Sequence, residues 1–188
     1  NTYQASSRTN DFNREDHRFF SRYPARRLTA EQLLDALGDL TGVHEKFHGV
    51  RASTRATQLP APDLKPHDRG KIGEVEFLKV FGMPERQSVC ECERGDETSL
   101  GQALELYNGK TLHRMLTHAE SRHRKMIREK LADEEILTQL YLRAYARKPD
   151  PRELEIATNY VQSAENREQA YEDLVWVLVN KDEFLFQH

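Results

Sequence analysis

Residues 133–180 hold three successive helical patterns, and each begins or ends on its own boundary signal. Ile136, Leu137, Leu140, Tyr141, Ala144 and Tyr145 form one apolar stripe at helical spacing, and the pattern stops before Lys148-Pro149. Asp150 then caps a second helix, with Pro151 at its first position and Glu153 three residues after the cap. Leu154, Ala157 and Val161 face inward there, with Ile156 and Tyr160 beside them. Asn166 opens a third helix striped by Ala170, Tyr171, Leu174, Val175 and Leu178. Connections this short make consecutive helices antiparallel neighbours. The tail Phe184-Leu185-Phe186 is expected to fold back onto the core they enclose. The fold class is therefore mainly α: an antiparallel helical array at the C-terminus, with an irregular, loop-rich N-terminal half packed against it.

Upstream the pattern thins. Thr29-Ala30-Glu31-Gln32 is a capping box, followed by Leu33, Leu34, Leu37 and Leu40 at helical spacing and by Gly42 as a C-terminal cap. Residues 1–28 read as an extended arm anchored by Tyr3, Phe12, Phe19, Phe20 and Tyr23, because aromatic rings are costly to leave in water. Residues 43–71 are a long loop rich in Pro and Gly. Residues 72–81 fit either a short strand or one or two helical turns. Residues 99–107 predict a helix with Leu100, Ala103, Leu104 and Tyr107 inward, closed by Gly109, and 112–130 predict a charged helix. The organisation expected is one domain over 1–188, with a loop-rich half over 1–98 holding one helix and a helical array over 99–188.

Composition narrows the function classes. With 28 basic and 31 acidic residues the net charge is -3, which lacks the basic excess of a nucleic-acid binder. The basic clusters Arg22, Arg26, Arg27 and Arg122, Arg124, Lys125, Arg128 read as solvated helix surface. The longest apolar run, 174–179, is far short of the roughly 18 residues a membrane span needs. The chain opens abruptly at Asn1-Thr2-Tyr3-Gln4, as a processed product or a piece of a longer polypeptide does.

The sharpest chemical feature is Cys90-Glu91-Cys92. In an extended segment both sulfurs point to one face, so the pair is open to three states: two plain thiols, a strained and easily reduced disulfide, or two ligands for a soft metal. Glu91 and Glu93 oppose thiolate formation, whereas Arg86 and Arg94 favour it. The eight histidines read as surface residues. His44 and His48 are four apart but follow Gly42, where the helix has ended, and His113, His118 and His123 are spaced by five and share no face. Asp133-Glu134-Glu135 complements a helix dipole. Arg51 and Arg55 sit in the long loop without acidic neighbours in sequence. They are candidates either for gripping a carboxylate or acidic sugar or for tying the loop to the helical body, and tying is the simpler reading.

Several stretches together carry a resemblance: Thr2-Tyr3-Gln4 with Ser6-Ser7, Phe20-Ser21-Arg22, Arg26-Arg27-Leu28-Thr29-Ala30-Glu31-Gln32-Leu33-Leu34-Asp35-Ala36, Thr54-Arg55-Ala56-Thr57-Gln58-Leu59-Pro60, Phe77-Leu78-Lys79-Val80-Phe81-Gly82, Val89-Cys90-Glu91-Cys92-Glu93-Arg94, and the ending Glu183-Phe184-Leu185-Phe186-Gln187-His188. This ordered set resembles the planctomycete-type domain of unknown function that sits C-terminal in large exported proteins, often beside planctomycete-type cytochrome c domains. Gln187 departs from that family's usual Phe-Leu-Phe-Asn-His ending. The resemblance implies a periplasmic or extracellular location and upstream domains in the same polypeptide, and it brings no catalytic residues. No cofactor is expected in this chain, since c-type haem attachment needs Cys-x-x-Cys-His. The expected role is a non-catalytic structural or interaction module that docks against upstream domains or another protein, with no nucleic acid and no membrane span. The alternative is part of an active or binding site, using a polysaccharide-like ligand or thiol-pair chemistry.

Overall fold

The capping box at Thr29 forms as the sequence predicts. The Thr29 hydroxyl accepts from the Gln32 amide at 3.3 Å, and the Gln32 side chain accepts from the Thr29 amide at 3.0 Å. These bonds satisfy two of the donors a helix start leaves open. Helix α1 then runs Ala30–Thr41 and ends where Gly42 adopts a left-handed φ of 75° that a side chain would resist. Leu33, Leu34, Leu37 and Leu40 are buried.

The computed structural model describes residues 9–15, 18–19, 21–23, 25–47, 50–59, 77–82 and 100–187. Cys90, Cys92, His48, Tyr3, Phe20, the remainder of the long loop over 60–71, and residues 72–76 lie outside the described residues.

After α1 come a 3-10 turn, Ala56–Gln58, and a single helical turn over 77–80. The latter brings Phe77, Leu78 and Phe81 into the core, Phe77 stacking on Phe81 with ring centroids 4.5 Å apart. Then follow α2 Leu100–Asn108, α3 Lys110–Thr117, α4 Arg122–Arg128, α5 Asp133–Tyr145, α6 Pro151–Ser163, α7 Arg167–Val179 and α8 Asp182–Leu185. The three-helix array is α5, α6 and α7. Asp150 accepts from the Glu153 amide at 2.8 Å, and Asn166 accepts from the amides of Glu168 and Gln169 at 3.0 and 3.2 Å. Helix α7 packs on α3, α4, α5 and α6, while α1 packs on α3, α4 and α5. Leu37, Met115, Ile136, Leu140, Tyr171 and Val175 are therefore parts of one buried cluster.

The tail does fold back. Phe184 is buried, and Phe186–Gln187 forms strand β2 antiparallel to β1, Arg26–Arg27, with Arg26 opposite Gln187 and Arg27 opposite Phe186. The Leu28 amide extends the pairing by donating to the Leu185 carbonyl at 2.9 Å. Two residues a side carry too little period for a sequence to announce such a ladder.

Three expectations are corrected. The helix predicted over 112–130 is broken between α3 and α4: the Ser121 amide turns back to the His118 carbonyl at 2.9 Å, the Glu120 amide donates to His118 Nδ1 at 3.0 Å, and Ser121 is buried. Phe12 and Phe19 do not anchor the arm, being 98% and 80% exposed. Helix α2 faces the other way: Leu100, Ala103, Leu104 and Tyr107 point out, while Gln102 and Leu106 point in. The reason is polar. Gln102 accepts a hydrogen bond from the Arg27 guanidinium, tying α2 to β1, and this places the helix's apolar stripe outside.

Candidate functional site

Asp35 and Asp39 lie one turn apart on α1, toward the segment that holds Arg55. Asp35 is an acid among leucines, and burial of a carboxylate is tolerated only when its oxygens are bonded. One oxygen accepts the Ala56 amide at 2.8 Å; the other accepts the Thr57 amide at 3.1 Å and the Thr57 hydroxyl at 2.7 Å. Asp35 thus supplies, from a different helix, the acceptor that the start of the 3-10 turn lacks.

The Arg55 guanidinium completes the arrangement. Its Nη2 donates to Asp39 and to the Asp35 carbonyl, and its Nε lies 3.6 Å from the Asp35 carboxylate. The Asp39 hydrogen bond, ahead of the cost of burial, holds Arg55 above its ordinary pKa. His44 Nε2 sits 3.7 Å from the other Asp39 oxygen. Of the two roles open to Arg55, the geometry is that of a tie between loop and helix. Arg51 is exposed and takes no part in these bonds; its carbonyl accepts the Thr54 amide at 2.9 Å.

Between α1 and this loop lies a cavity of about 260 Å³. Leu34, Asp35, His44, Glu45, Phe47 and residues 52–55 line it. Glu45 is buried and ion-paired with Arg114 of α3. The chain before α2 had been expected to offer Arg51, Arg55, Cys90 and Cys92 as its chemistry. Of the described ones, Arg55 lines the cavity and Arg51 does not, while the cysteines lie outside the described residues. Asp35, Asp39 and Glu45 were missed. The available signal was an acid interrupting the Leu33-Leu34-Leu37-Leu40 face one turn before a second acid, with a cation in the following loop.

Elsewhere the arginines are internal ties as well, and the basic cluster on α4 is not simply solvated. Arg122 donates to the carbonyls of Leu40 and Asp39 at 3.3 and 3.2 Å, satisfying the last turn of α1. Arg124 bonds Glu168 and Glu172 of α7, both at 2.5 Å. Arg147 joins Glu153 on α6 to Glu183 on α8 and lies 5.7 and 5.4 Å from the ring centres of Tyr141 and Tyr145. Chiefly through those hydrogen bonds from Arg147, the Glu153 carboxyl falls to about 2. Asp133 has more than a dipole role: it accepts from Arg167 at 2.7 Å and from the buried Tyr171 hydroxyl at 2.7 Å.

His123 contradicts the surface reading of the histidines. It is 0% exposed on α4, with Nε2 3.3 Å from the Ser121 hydroxyl and no hydrogen-bond partner for Nδ1 among the described residues. Burial first, and the neighbouring Arg124 charge second, depress it to about 4. Among the described residues no group of three or more His, Cys, Asp or Glu is placed to hold a metal ion, and no helix is long and apolar enough to cross a membrane.

Residues 1–161 match the profile of PSD1, described as a protein of unknown function (DUF1553). The chain belongs to this family. No curated protein and no solved structure matches it. The PSD1 match takes in α1 and its partner loop, hence the whole Asp35–Arg55–Asp39 arrangement and the cavity beside it. It stops before α7, which nonetheless places Tyr171, Val175 and Leu178 in the same core.

Proposed function

We propose that this chain is a non-catalytic structural and interaction module of a larger exported protein. It acts in the periplasm or outside the cell, as the C-terminal domain of a planctomycete-type polypeptide in which cytochrome c domains are frequent neighbours. Its partners are the upstream domains of the same polypeptide or another protein, rather than nucleic acid.

One observation carries this reading: the apolar stripe of α2 faces outward. Leu100 is 77% exposed, and Leu104 and Tyr107 are exposed one and two turns further on. Scattered surface leucines need no explanation, but a whole apolar helical face held outward marks a contact surface. The stripe continues onto the array. Tyr107 packs edge to face on Trp176 of α7, and exposed Val177 follows Trp176. The Tyr160 hydroxyl meets Asp173 at 2.7 Å, joining α6 to α7. One helical turn from that bond on each helix leads to Ile156 and Val177, both exposed, because α6 and α7 run antiparallel. The internal use of Arg55, Arg122, Arg124 and Arg147 supports the same reading, since these ties make a rigid base.

The test is a charge placed on the stripe. Leu104→Glu in the longer polypeptide is expected to leave the helical body folded and to release this domain from its neighbour, seen as new protease cleavage between them. Unchanged cleavage and unchanged association would count against the proposal.

A further inference from the structure

We propose that the cavity between α1 and the 50–55 loop is a binding site for a small neutral polyhydroxylated molecule, of the size of a single sugar unit. This inference is independent of the contact surface on α2.

Size and charge together select the ligand. A volume of about 260 Å³ lies just under the roughly 300–1,000 Å³ of ordinary ligand pockets, so it admits one small molecule. The lining mixes signs. Asp35 and Glu45 present carboxylates and Arg55 presents a guanidinium, all within ion pairs of the protein itself. Asp35 already faces Arg55 and Glu45 already pairs with Arg114, so neither an entering anion nor an entering cation finds a counter-charge without a partner of its own. A hydroxyl group both donates and accepts, and a ring carrying several of them suits a wall of mixed polarity. Among the described residues Arg114 is the one side chain bonded to Glu45, and it takes Oε1, which leaves the second carboxylate oxygen as an acceptor for a ligand hydroxyl. Ser53 and Thr54 add hydroxyls from the loop side. Phe47 adds an apolar face on which the C–H side of a sugar ring can rest.

The supporting network is already rigid. Asp35 holds the Ala56 and Thr57 amides, and Arg55 is pinned by Asp39, so the wall is preorganised before a ligand arrives. A single ring in so small a site is expected to bind weakly, in the millimolar range typical of few contacts.

The experiment is an amide-resolved NMR titration of the whole chain with D-glucose, D-galactose and xylitol. Acetate and tetramethylammonium serve as the anionic and cationic probes. The expected result is saturable shifts at Ser53, Thr54 and Glu45 with at least one of the neutral probes and not with the ions. Ser53→Trp, which fills the cavity from an exposed loop position, is expected to abolish those shifts. Thr54→Val, which keeps the shape and removes the hydroxyl, is expected to weaken binding about fivefold. The proposal is overturned if an ion produces the larger saturable shifts, if none of the probes shifts these residues, or if both variants titrate like the parent chain.

Discussion

The indole N–H of Trp176 donates to the Tyr107 carbonyl at 3.1 Å, and the two rings meet edge to face with centroids 5.1 Å apart. This contact joins the end of α2 to the last turn of α7. With the Arg27–Gln102 bond at the other end, it holds α2 with Leu100 and Leu104 outward. An apolar stripe is ordinarily read as core-facing, and here two polar anchors outweigh it.

The orientation of α2 has a direct consequence for stability. Truncating an exposed leucine costs little, whereas truncating a buried one loses transfer energy and leaves a cavity. Leu100→Ala and Leu104→Ala are each expected to change unfolding free energy by less than about 0.5 kcal/mol. Leu106→Ala is expected to cost about 2–4 kcal/mol. Urea denaturation of the three variants checks the order, and the reverse order would restore the inward reading of Leu100 and Leu104.

Asp35 is expected to be the most sensitive polar residue on α1. Its carboxylate accepts two amides and a hydroxyl and faces Arg55. Asp35→Ala leaves buried donors unsatisfied and is expected to destabilise by about 2–4 kcal/mol. Amide hydrogen exchange at Ala56 and Thr57 should rise sharply in the variant. Protection equal to that of the parent chain would mean that the loop is held by something other than Asp35.

His123 predicts acid sensitivity with a defined sign. Its ordinary value of 6.5 falls to about 4 in the folded chain, so between those values the unfolded state binds more protons. Stability is then fully present above pH 6.5 and is lost as pH falls toward 4, by about 3 kcal/mol at most. The groups beside the ring are the Ser121 hydroxyl and the Arg124 charge. His123→Gln should remove this slope, so the stability difference between parent and variant shrinks from pH 7 to pH 4.5. A difference that stays constant over that range contradicts the buried neutral state.

Glu153 predicts a second loss at lower pH. Arg147 lowers its carboxyl from 4.5 to about 2, so the stability it contributes is present above 4.5 and disappears as pH falls toward 2. Arg147 is partly exposed, and solvent screening limits the effect to about 1 kcal/mol. Arg147→Leu should flatten the stability profile between pH 4.5 and 2 relative to the parent chain. Parallel profiles would argue that the Arg147–Glu153 pair carries no net energy.

Legibility followed the strength of local signals. Helix α1 and the α5–α7 array were readable because caps and stripes agree: Thr29 with Gln32, Asp150 with Glu153, Asn166 ahead of Ala170 and Tyr171. The orientation of α2 was not readable, because it depends on Arg27 and Trp176, each about 70 residues from its partner. The break at 118–121 depends on burial of Ser121 and His123, which helical periodicity does not reveal. Arg55 was recognised as a residue with two roles open to it, but its partners Asp35 and Asp39 were hidden inside a helix read for its leucines. The family match adds common ancestry without chemistry, so the proposed role rests on the outward face of α2.

The central claim is that the outward face of α2 is a contact surface. Its most direct test is hydrogen exchange of residues 100–108, measured in the isolated chain and again with the proposed upstream domains attached, with α5–α7 as internal reference. The account predicts slower exchange over 100–108 when those proposed domains are attached and no change across α5–α7. Equal exchange over 100–108 in both settings would contradict it.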